Sequence, residues 1–416
     1  MKLPLLYPSQ DELRDILHRF DGASVGVLGD FCVDAYWFID PERVEWSIET
    51  GKRVQHVLRQ RYTPGAAGNV VANLCALGVR RVETFGVIGA DLFGQETIRL
   101  FRALGVAVDG LIVQASDWDT PVYGKPYFGG EELQRMDFGA FNSLSQETWA
   151  RLLERVRAAR RRLDFLIVNQ QLPHGWCNPA RAAELAEELQ QWGGRHLVDA
   201  RQYAAAFPRA CHKVNEREAA RMAGRELPDD AKLGDEEVTE LAARSSFSDG
   251  ARNGLPEPQF ITRGERGIAA GISDTVTLVP GVMVLGPTDP VGAGDAVTAT
   301  LAACLASGIE PDRAGVLANL AASITVQKIN QTGTASRDEL LDAARELARS
   351  LEIHTVTLDV WRFNEEARRF YERQGFAGYY ERMWQVLEDP RLSARQVDNT
   401  CVTSHESRVT CDGLVT

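Results

Sequence analysis

The chain has 416 residues, of which 44% are hydrophobic, and a formal net charge of −12 at pH 7. A chain of this length can bury a large core and is expected to contain more than one domain. The negative charge argues against general binding to nucleic acids or anionic membranes, so a small-molecule ligand is expected. No apolar run approaches the roughly 20 residues of a membrane span, and residues 1–8 are too weakly apolar for a signal peptide, which indicates the cytoplasm.

The seven cysteines form no C-x-x-C pair and no zinc-binding spacing with histidine. We therefore expect reduced and mostly buried thiols.

Strands and helices alternate along the chain, which predicts an α/β fold with a parallel sheet and helices on both faces. Two segments, 36–62 and 106–138, break the alternation, because they are rich in β-forming and charged residues and lack a long helix pattern. We expect them to form a small β-lid. The predicted strands are 24–29, 82–88, 165–169, 196–199, 259–262 and 276–279, and the predicted helices are 68–77, 93–104, 145–161, 178–191, 216–223, 295–306 and 314–326.

Two polar positions in the first part of the chain suggest a ligand site. Asp30 directly follows an apolar strand, and the carboxyl ends of strands are where open α/β sheets bind ligands. Asn69 lies in a run of small residues (Gly65, Ala66, Ala67, Gly68) that opens a predicted helix. Small residues let a ligand approach the backbone, and Asn69 offers both a donor and an acceptor. Close helix packing is the alternative explanation for this second motif.

The most informative segment is 289–295, with the sequence DPVGAGD. Gly292, Ala293 and Gly294 let backbone N–H groups turn towards one point, where the following helix adds the positive end of its dipole. A bound phosphate chain would repel Asp295 at the mouth of this anion hole, unless Asp295 takes a proton from an attacking hydroxyl. The segment therefore predicts phosphorylation of an alcohol with Asp295 as general base. Helix capping by Asp295 in a glycine-rich turn is the alternative.

In this order and spacing, the two motifs resemble the paired signatures of the ribokinase-like (PfkB) carbohydrate kinases. The resemblance extends over roughly residues 20–345. It implies a ribokinase-like three-layer sandwich with a mainly parallel central sheet and a small β-lid that pairs between subunits in a homodimer. It also implies a sugar substrate, with ATP, Mg²⁺ and a monovalent cation such as K⁺. The start Gly29-Asp30-x-x-x-Asp34-x-Tyr36-Trp37 is most similar to the heptose-phosphate kinase branch.

The resemblance also assigns roles to individual residues. The sugar would bind against Asp30, Asp34, Gly65 and Asn69. Segment 213–218 is similar to the family's N-x-x-E element, so Asn215 and Glu218 would help to place phosphate and magnesium, Glu218 acting through water. Segment 261–267 resembles its nucleotide turn, and ATP would also contact Thr262, Gly264, Gly267 and, near the adenine, Asn319. Asp289 would lie at the monovalent-cation site.

Each assignment on the nucleotide side has a structural alternative. Asn215 and Glu218 could cap a helix, Gly264 and Gly267 could form a hairpin, and Asn319 could be an ordinary helix-surface residue.

The chain departs from the family pattern at two positions. Ala66 replaces the second glycine of the first motif, and Pro290 replaces the threonine that commonly follows the first aspartate of the second motif. The identity of the sugar and the monovalent-cation site therefore stay open. A nucleoside kinase of the same fold and a non-catalytic sugar or nucleotide sensor are the alternatives. The start at residues 29–37 favours sugars, and the intact Asp295 favours catalysis.

The C-terminal part has a different pattern, so the expected division is a kinase domain over 1–345, a fragment over 346–390 and a flexible tail over 391–416. A strand at 355–360, a helix at 364–376 and a strand near 383–387 resemble the closing half of a GNAT acetyltransferase, an α+β unit. That resemblance implies a contact between Asn364 and the pantetheine arm of coenzyme A, and protonation of the departing thiolate by Tyr371. Because no pyrophosphate-binding loop precedes the strand, we interpret the fragment as a structural appendage rather than as an acetyltransferase.

Overall fold

The structure is a computed structural model that describes residues 10–228, 231–245, 257–272, 275–329 and 331–351 and four short strands beyond them. The chain divides into two compact units, Met1–Leu340 and Leu341–Thr416. The strands of the first unit are β1 (Ser24–Gly29), β2 (Phe31–Ile39), β3 (Glu45–Trp46), β4 (Arg53–Val54), β5 (Val57–Ala66), β6 (Arg81–Gly89), β7 (Leu111–Gln114), β8 (Val122–Phe128), β9 (Glu131–Glu132), β10 (Met136–Phe138), β11 (Phe165–Gln170), β12 (His196–Ala200), β13 (Cys211–Asn215), β14 (Gln259–Thr262), β15 (Ile268–Ile272) and β16 (Thr275–Val279).

Nine of these strands form the central sheet, in the order β16-β15-β14-β13-β12-β11-β1-β6-β7. The neighbours from β14 to β7 run parallel, whereas β14, β15 and β16 pair antiparallel at one edge. Every residue of β1 and β11 is buried, as is usual for parallel strands with helices on both faces. The predicted ribokinase-like α/β fold with a mainly parallel sheet is confirmed.

Helices cover the central sheet on both faces. The helices are α1 (Gln10–Arg19), α2 (Ala67–Ala76), α3 (Leu92–Ala103), α4 (Gln146–Ala159), α5 (Pro179–Leu189), α6 (Glu216–Met222), α7 (Asp235–Ser245), α8 (Ala293–Ala306), α9 (Pro311–Thr325) and α10 (Arg337–Leu351). Apolar side chains of α4, α5 and α7 form one core cluster with Leu28, Val168 and Val198 of the sheet. Helices α2, α8 and α9 pack together and contact β1, β11 and β15. No helix in the described part of the chain combines the length and the apolar composition needed to cross a bilayer.

A second sheet forms the lid, with strand order β10-β8-β2-β5 and β9 paired to β8. Strand β2 begins one residue after Asp30, and β5 ends where α2 begins, so the lid strands lead directly into the sequence motifs. The lid therefore extends beyond the predicted segment 36–62 at both ends. In the other predicted lid segment, Leu111–Gln114 instead forms the edge strand of the central sheet, because this apolar tetrapeptide pairs parallel to β6 and buries three of its four residues.

The second unit contains four described strands, β17 (Thr355–Asp359), β18 (Ala377–Tyr379), β19 (Arg382–Val386) and β20 (Arg408–Thr410), in the order β18-β19-β17-β20. Strands β17 and β19 fall at the two predicted GNAT-like strands. Strand β20 lies within the segment predicted as a flexible tail, so three of its residues have regular structure. Asn364 and Tyr371 lie outside the described residues.

The cysteines of the first unit carry free thiols. Cys32, Cys177, Cys211 and Cys304 are buried and Cys75 is half-buried, as the absence of metal-binding or redox spacings indicated.

Candidate active site

Asp295 lies in the first turn of α8, at the carboxyl ends of the central strands. Gly292 precedes the helix in a left-handed conformation with φ of 84°, which an L side chain rarely adopts. A Cβ atom at Gly292 would also lie 2.9 Å from Thr332 Cγ2 and 3.0 Å from Asn69 Nδ2. The glycine thus lets the chain enter α8 beside Asn69.

Two side-chain amides bind the two carboxylate oxygens of Asp295. Asn69 Nδ2 donates to Oδ2 at 2.8 Å, and Gln171 Nε2 donates to Oδ1 at 3.0 Å. Asn69 is buried at the start of α2, and Gln171 directly follows β11. The sequence predicted that Asn69 binds the sugar; in the structure its side-chain amide contacts the general-base candidate itself.

Burial raises the pKa of Asp295 to about 6. The hydrogen bonds from Asn69 and Gln171 and the charge of Lys213 oppose this rise, whereas the negative charge of Asp199 adds to it. As a whole residue, Asp295 is half-buried at the start of α8. A carboxylate with a pKa near neutrality is suited to accept a proton from a substrate hydroxyl.

A buried charged cluster lies next to the first turn of α8, and the sequence reasoning did not find it. Asp199 at the end of β12 accepts hydrogen bonds from Thr298 Oγ1 at 2.6 Å and from Lys213 Nζ at 3.1 Å. Burial alone would lower the pKa of Lys213. The negative charges of Asp199, Glu218 and Asp295 outweigh this effect and raise it. A Cβ atom at Gly294 would lie 3.2 Å from Lys213 Nζ, so a buried ammonium group adjoins the predicted anion hole.

The predicted anion hole falls at the start of α8. The first-turn amides of a helix have no acceptor within the helix, so Gly294 and Asp295 can offer their N–H groups to a ligand. The Ala293 amide donates to Pro290 O at 3.2 Å, which makes it less available than the sequence predicted.

Asp30 lies where the sequence predicts it, at the carboxyl end of β1, and is buried. Its carboxylate accepts hydrogen bonds from the backbone amides of Gln171 at 2.8 Å, Leu172 at 2.9 Å and Trp176 at 3.4 Å. A Cβ atom at Gly175 would lie 2.0 Å from Asp30 Oδ1, so the loop is moulded closely around the carboxylate. Burial raises the pKa of Asp30 to about 6.

Asp34 connects the lid with the loop after α9. Its Oδ1 atom pairs with Lys125 Nζ of β8 at 3.0 Å, and its Oδ2 atom accepts from Thr332 Oγ1 at 3.1 Å. Gly65 lies on the neighbouring strand β5, opposite Cys32, and a Cβ atom there would lie 3.2 Å from Asp34 Cγ. The structure therefore brings Asp34 and Gly65 together.

Ala66 stands where the family pattern has a glycine. Its backbone conformation is unusual, with φ of 49° and ψ of −126°. This region is normally left to glycine, so the backbone at Ala66 is strained.

On the predicted nucleotide side, Asn215 and Glu218 form a reciprocal capping box at the start of α6. Glu218 N donates to Asn215 Oδ1 and Asn215 N donates to Glu218 Oε2, both at 2.9 Å. The capping alternative therefore describes both residues. Burial also raises the pKa of Glu218.

The remaining predicted nucleotide residues lie around β14, β15 and α9. Thr262 ends β14, and Gly264 and Gly267 have φ of 60° and 91° in the turn that joins the β14–β15 hairpin. A Cβ atom at Gly267 would lie 2.1 Å from Val279 O, so this position requires glycine. Asn319 is buried rather than on the helix surface, and its Nδ2 atom donates to Pro280 O at 2.7 Å.

The described residues contain no group of three or more His, Cys, Asp or Glu side chains that could hold a metal ion. Asp289, the predicted monovalent-cation residue, is half-buried and its Oδ1 atom accepts from Val291 N at 3.0 Å. Its own amide donates to Val326 O at 2.7 Å, which ties this loop to the end of α9.

The region that contains these residues also matches a known family. Residues 30–337 match the model of the pfkB family carbohydrate kinases. The chain belongs to this family. Similar proteins include the bifunctional protein HldE of Mesorhizobium japonicum, 30% identical over 359 residues, with 81% of this chain and 68% of that protein covered. HldE of Desulfatibacillum aliphaticivorans is 30% identical over 335 residues, with 78% of this chain and 64% of that protein covered. The chain thus spans about two thirds of the length of these relatives.

A solved structure shows the same fold. Phosphofructokinase-2 from Escherichia coli in complex with potassium aligns with a TM-score of 0.61 at 18% identity and covers 78% of this chain and 99% of its own. The predicted family, fold and enzyme class, a carbohydrate kinase, are confirmed.

Proposed function

We propose that this pfkB family kinase transfers the γ-phosphoryl group of ATP to a hydroxyl of a sugar phosphate, with Asp295 as general base. The observation that carries the proposal is the position of Asp295 in the first turn of α8, held by two amides and with its pKa raised by burial to about 6. The base takes the hydroxyl proton while the hydroxyl oxygen attacks phosphorus and the ADP oxygen leaves.

The phosphoryl group would lie against the 292–294 backbone. The amides of Gly292 and Gly294, the helix dipole and the ammonium group of Lys213 provide positive potential for the charge on the transferring oxygens. Gly294 supports this placement, because the missing side chain keeps the approach to Lys213 open.

The acidic residues of the described site fit a magnesium ion that is held mainly by phosphate and water. They form no three-ligand cluster, and Mg²⁺ commonly keeps several waters and binds through substrate phosphates. Glu218 would hold such a water, while Asn215, Thr262, Gly264, Gly267 and Asn319 would line the nucleotide. When bound, Mg²⁺ neutralises part of the phosphate charge. We assign a K⁺ site to the loop of Asp289, and the potassium complex of the Escherichia coli neighbour supports that assignment by analogy.

The positively charged residues of the lid support a substrate that already carries a phosphate. Arg59 and Arg61 lie over the rings of Phe38 and Tyr36 at 4.2 and 4.3 Å, and Lys125 lies 5.0 Å from the Tyr36 ring. Several cations on one sheet face provide a counter-charge for a sugar phosphate. The similarity of residues 29–37 to heptose-phosphate kinases and the HldE relatives point to a heptose phosphate. The sugar ring would lie between this face and Asp30, Asp34, Gly65 and Asn69.

Replacement of the base tests the proposal. With a panel of sugar phosphates that includes heptose phosphates, Asp295→Asn should lower kcat by roughly 10² to 10⁴-fold and leave the Kd for ATP nearly unchanged. Asp312→Asn, an exposed carboxylate in the first turn of α9, should keep full activity. Near-full activity of Asp295→Asn, or no ATP-dependent phosphorylation of any panel member by the wild type, would refute the proposal.

A further inference from the structure

Gln171 links the carboxylate of Asp30, which follows β1, to the carboxylate of Asp295 at the start of α8. Its side-chain amide donates to Asp295 Oδ1 at 3.0 Å, and its backbone amide donates to Asp30 Oδ2 at 2.8 Å. The backbone of Gln171 thus contacts Asp30, and its side chain contacts Asp295. The direction in which the Gln171 side chain points is therefore set where Asp30 holds the loop.

Asp30 also holds the segment that carries the second amide. The Asp30 carbonyl oxygen accepts a hydrogen bond from Ala67 N at 3.0 Å, at the first residue of α2. Asn69, two residues further on, donates to the other oxygen of Asp295. Both amides that bind Asp295 therefore extend from segments that residue 30 fixes.

We propose that Gln171 is a positioning residue for Asp295 and that Asp30 acts through it by holding the 171–176 loop in place. This inference rests on the proposed function of Asp295 as general base. Asn69 and Gln171 each occupy one carboxylate oxygen, which fixes the plane of the carboxylate relative to the start of α8. A base held in a fixed plane has less orientational freedom to lose when the substrate hydroxyl arrives.

The same two donors stabilise the ionised form of Asp295. The charged groups that act on Asp295 are Asp199 of β12 and Lys213 of β13. Asp295 in turn acts on the buried Cys32 thiol of β2, whose pKa its negative charge helps to raise. Gln171→Met leaves these groups in place and removes only the donor amide. The ionised carboxylate then loses one hydrogen bond, so the acidic limb of the pH–kcat profile moves to higher pH.

Two Gln171 variants with a matched control test the inference. Gln171→Met should lower kcat at pH 7.5 about tenfold and move the acidic limb upward by about one pH unit, the size expected for one hydrogen bond to a charged group. Gln171→Glu has the same shape but replaces the donor by a negative charge, so its limb should move further. The KM for ATP should stay within about twofold. Gln190→Met, an exposed glutamine after α5, should behave as wild type.

A readout besides activity separates this inference from the proposed function. Carbon-13 NMR of labelled Asp carboxyls, with the Asp295 signal assigned by its loss in Asp295→Asn, should show a higher pKa of Asp295 in Gln171→Met. An unchanged titration in Gln171→Met overturns the inference even if the wild type is an active kinase. An increase in the KM for the sugar phosphate with unchanged kcat and pH profile also overturns it, because Gln171 would then be a substrate contact. If the proposed kinase function is disproved, the NMR comparison of wild type and Gln171→Met still tests whether Gln171 stabilises the ionised form of Asp295.

Discussion

At the scale of single residues, Asp295 combines two opposing influences. Burial disfavours its ionised form, while two amides and a buried lysine favour it. The result is a carboxylate that changes its charge close to neutral pH, whereas an ordinary aspartate does so near pH 4. Its environment therefore makes the expected reaction sensitive to mild acid.

The pH dependence of kcat should show this titration. Because the pKa of Asp295 is about 6, kcat should be nearly constant above pH 7 and fall as the pH drops below about 6. Steady-state assays from pH 5 to 8 with saturating substrates measure this limb. A kcat that stays constant down to pH 5 would contradict the assignment of Asp295 as the base.

Unfolding should not produce this loss of kcat, because the effects of mild acid on the stability of the fold oppose each other. The folded-state pKa values of Asp30 and Asp295, both about 6, exceed the unfolded value near 3.9, so protonation between pH 7 and 5 stabilises the folded chain. Burial lowers the pKa of His196 to about 4 and lowers that of His212, so these groups destabilise the fold below about pH 6.5. The effects oppose each other, so Tm should change little while kcat falls. A parallel fall of Tm and kcat would assign the limb to unfolding.

The sequence suggested some residues of the candidate site and missed others, for a physical reason. Asp295 and the 292–294 turn stand in a local glycine-rich pattern, so their chemistry can be inferred from adjacent residues. Asp199, Lys213 and Gln171 are polar residues at or near strand ends without a local pattern. Parallel strands bring them together from distant parts of the chain, and only the sheet order shows that they meet.

At the scale of elements, sequence periodicity located six of the nine central strands and seven of the ten described helices within one to three residues. Strands β7, β13 and β15 and helices α1, α7 and α10 were not predicted. The prediction 24–29 coincides with β1, and 259–262 coincides with β14. Strand β13 was missed, because its five residues mix His, Lys and Asn with apolar residues although four of them are buried.

Lid strand β2 contains the buried Asp34, whose partner Lys125 comes from β8. The sequence of either strand alone does not show that these two residues form an ion pair.

The Lys125–Asp34 pair gives a prediction about the lid. Lys125→Met leaves the buried Asp34 carboxylate without its cation, so the free energy of unfolding should fall by about 3 kcal/mol. It also removes one lid cation, so the KM for a sugar phosphate should rise about tenfold, with a smaller change for ATP. Chemical denaturation and steady-state kinetics measure the two effects. Lys52→Met, an exposed lysine of the lid, serves as control. Lower stability with an unchanged KM for the sugar phosphate would show that Lys125 acts only on the lid structure.

At the scale of the whole molecule, the lid and the chain segments next to it expose several large apolar side chains. Ile48 and Phe141 are almost fully exposed, and Trp46, Leu58 and Phe138 are at least 45% exposed. Strands β5 and β10 form the outer edges of the lid sheet. Open strand edges and exposed apolar patches are normally covered in a soluble protein. The family resemblance predicts the cover: the lid of a second copy of this chain.

Sedimentation velocity tests this homodimer. The wild type should sediment as a dimer at micromolar concentration, and the double variant Trp46→Glu with Ile48→Glu should sediment as a monomer, because two carboxylates would have to be desolvated in the apolar contact. Leu104→Glu places the same charge on a partly exposed residue after α3, outside the lid, and should leave the dimer intact. A wild type that is monomeric at these concentrations would contradict the lid-mediated dimer. A double variant that stays dimeric would show that the subunits associate through a different surface.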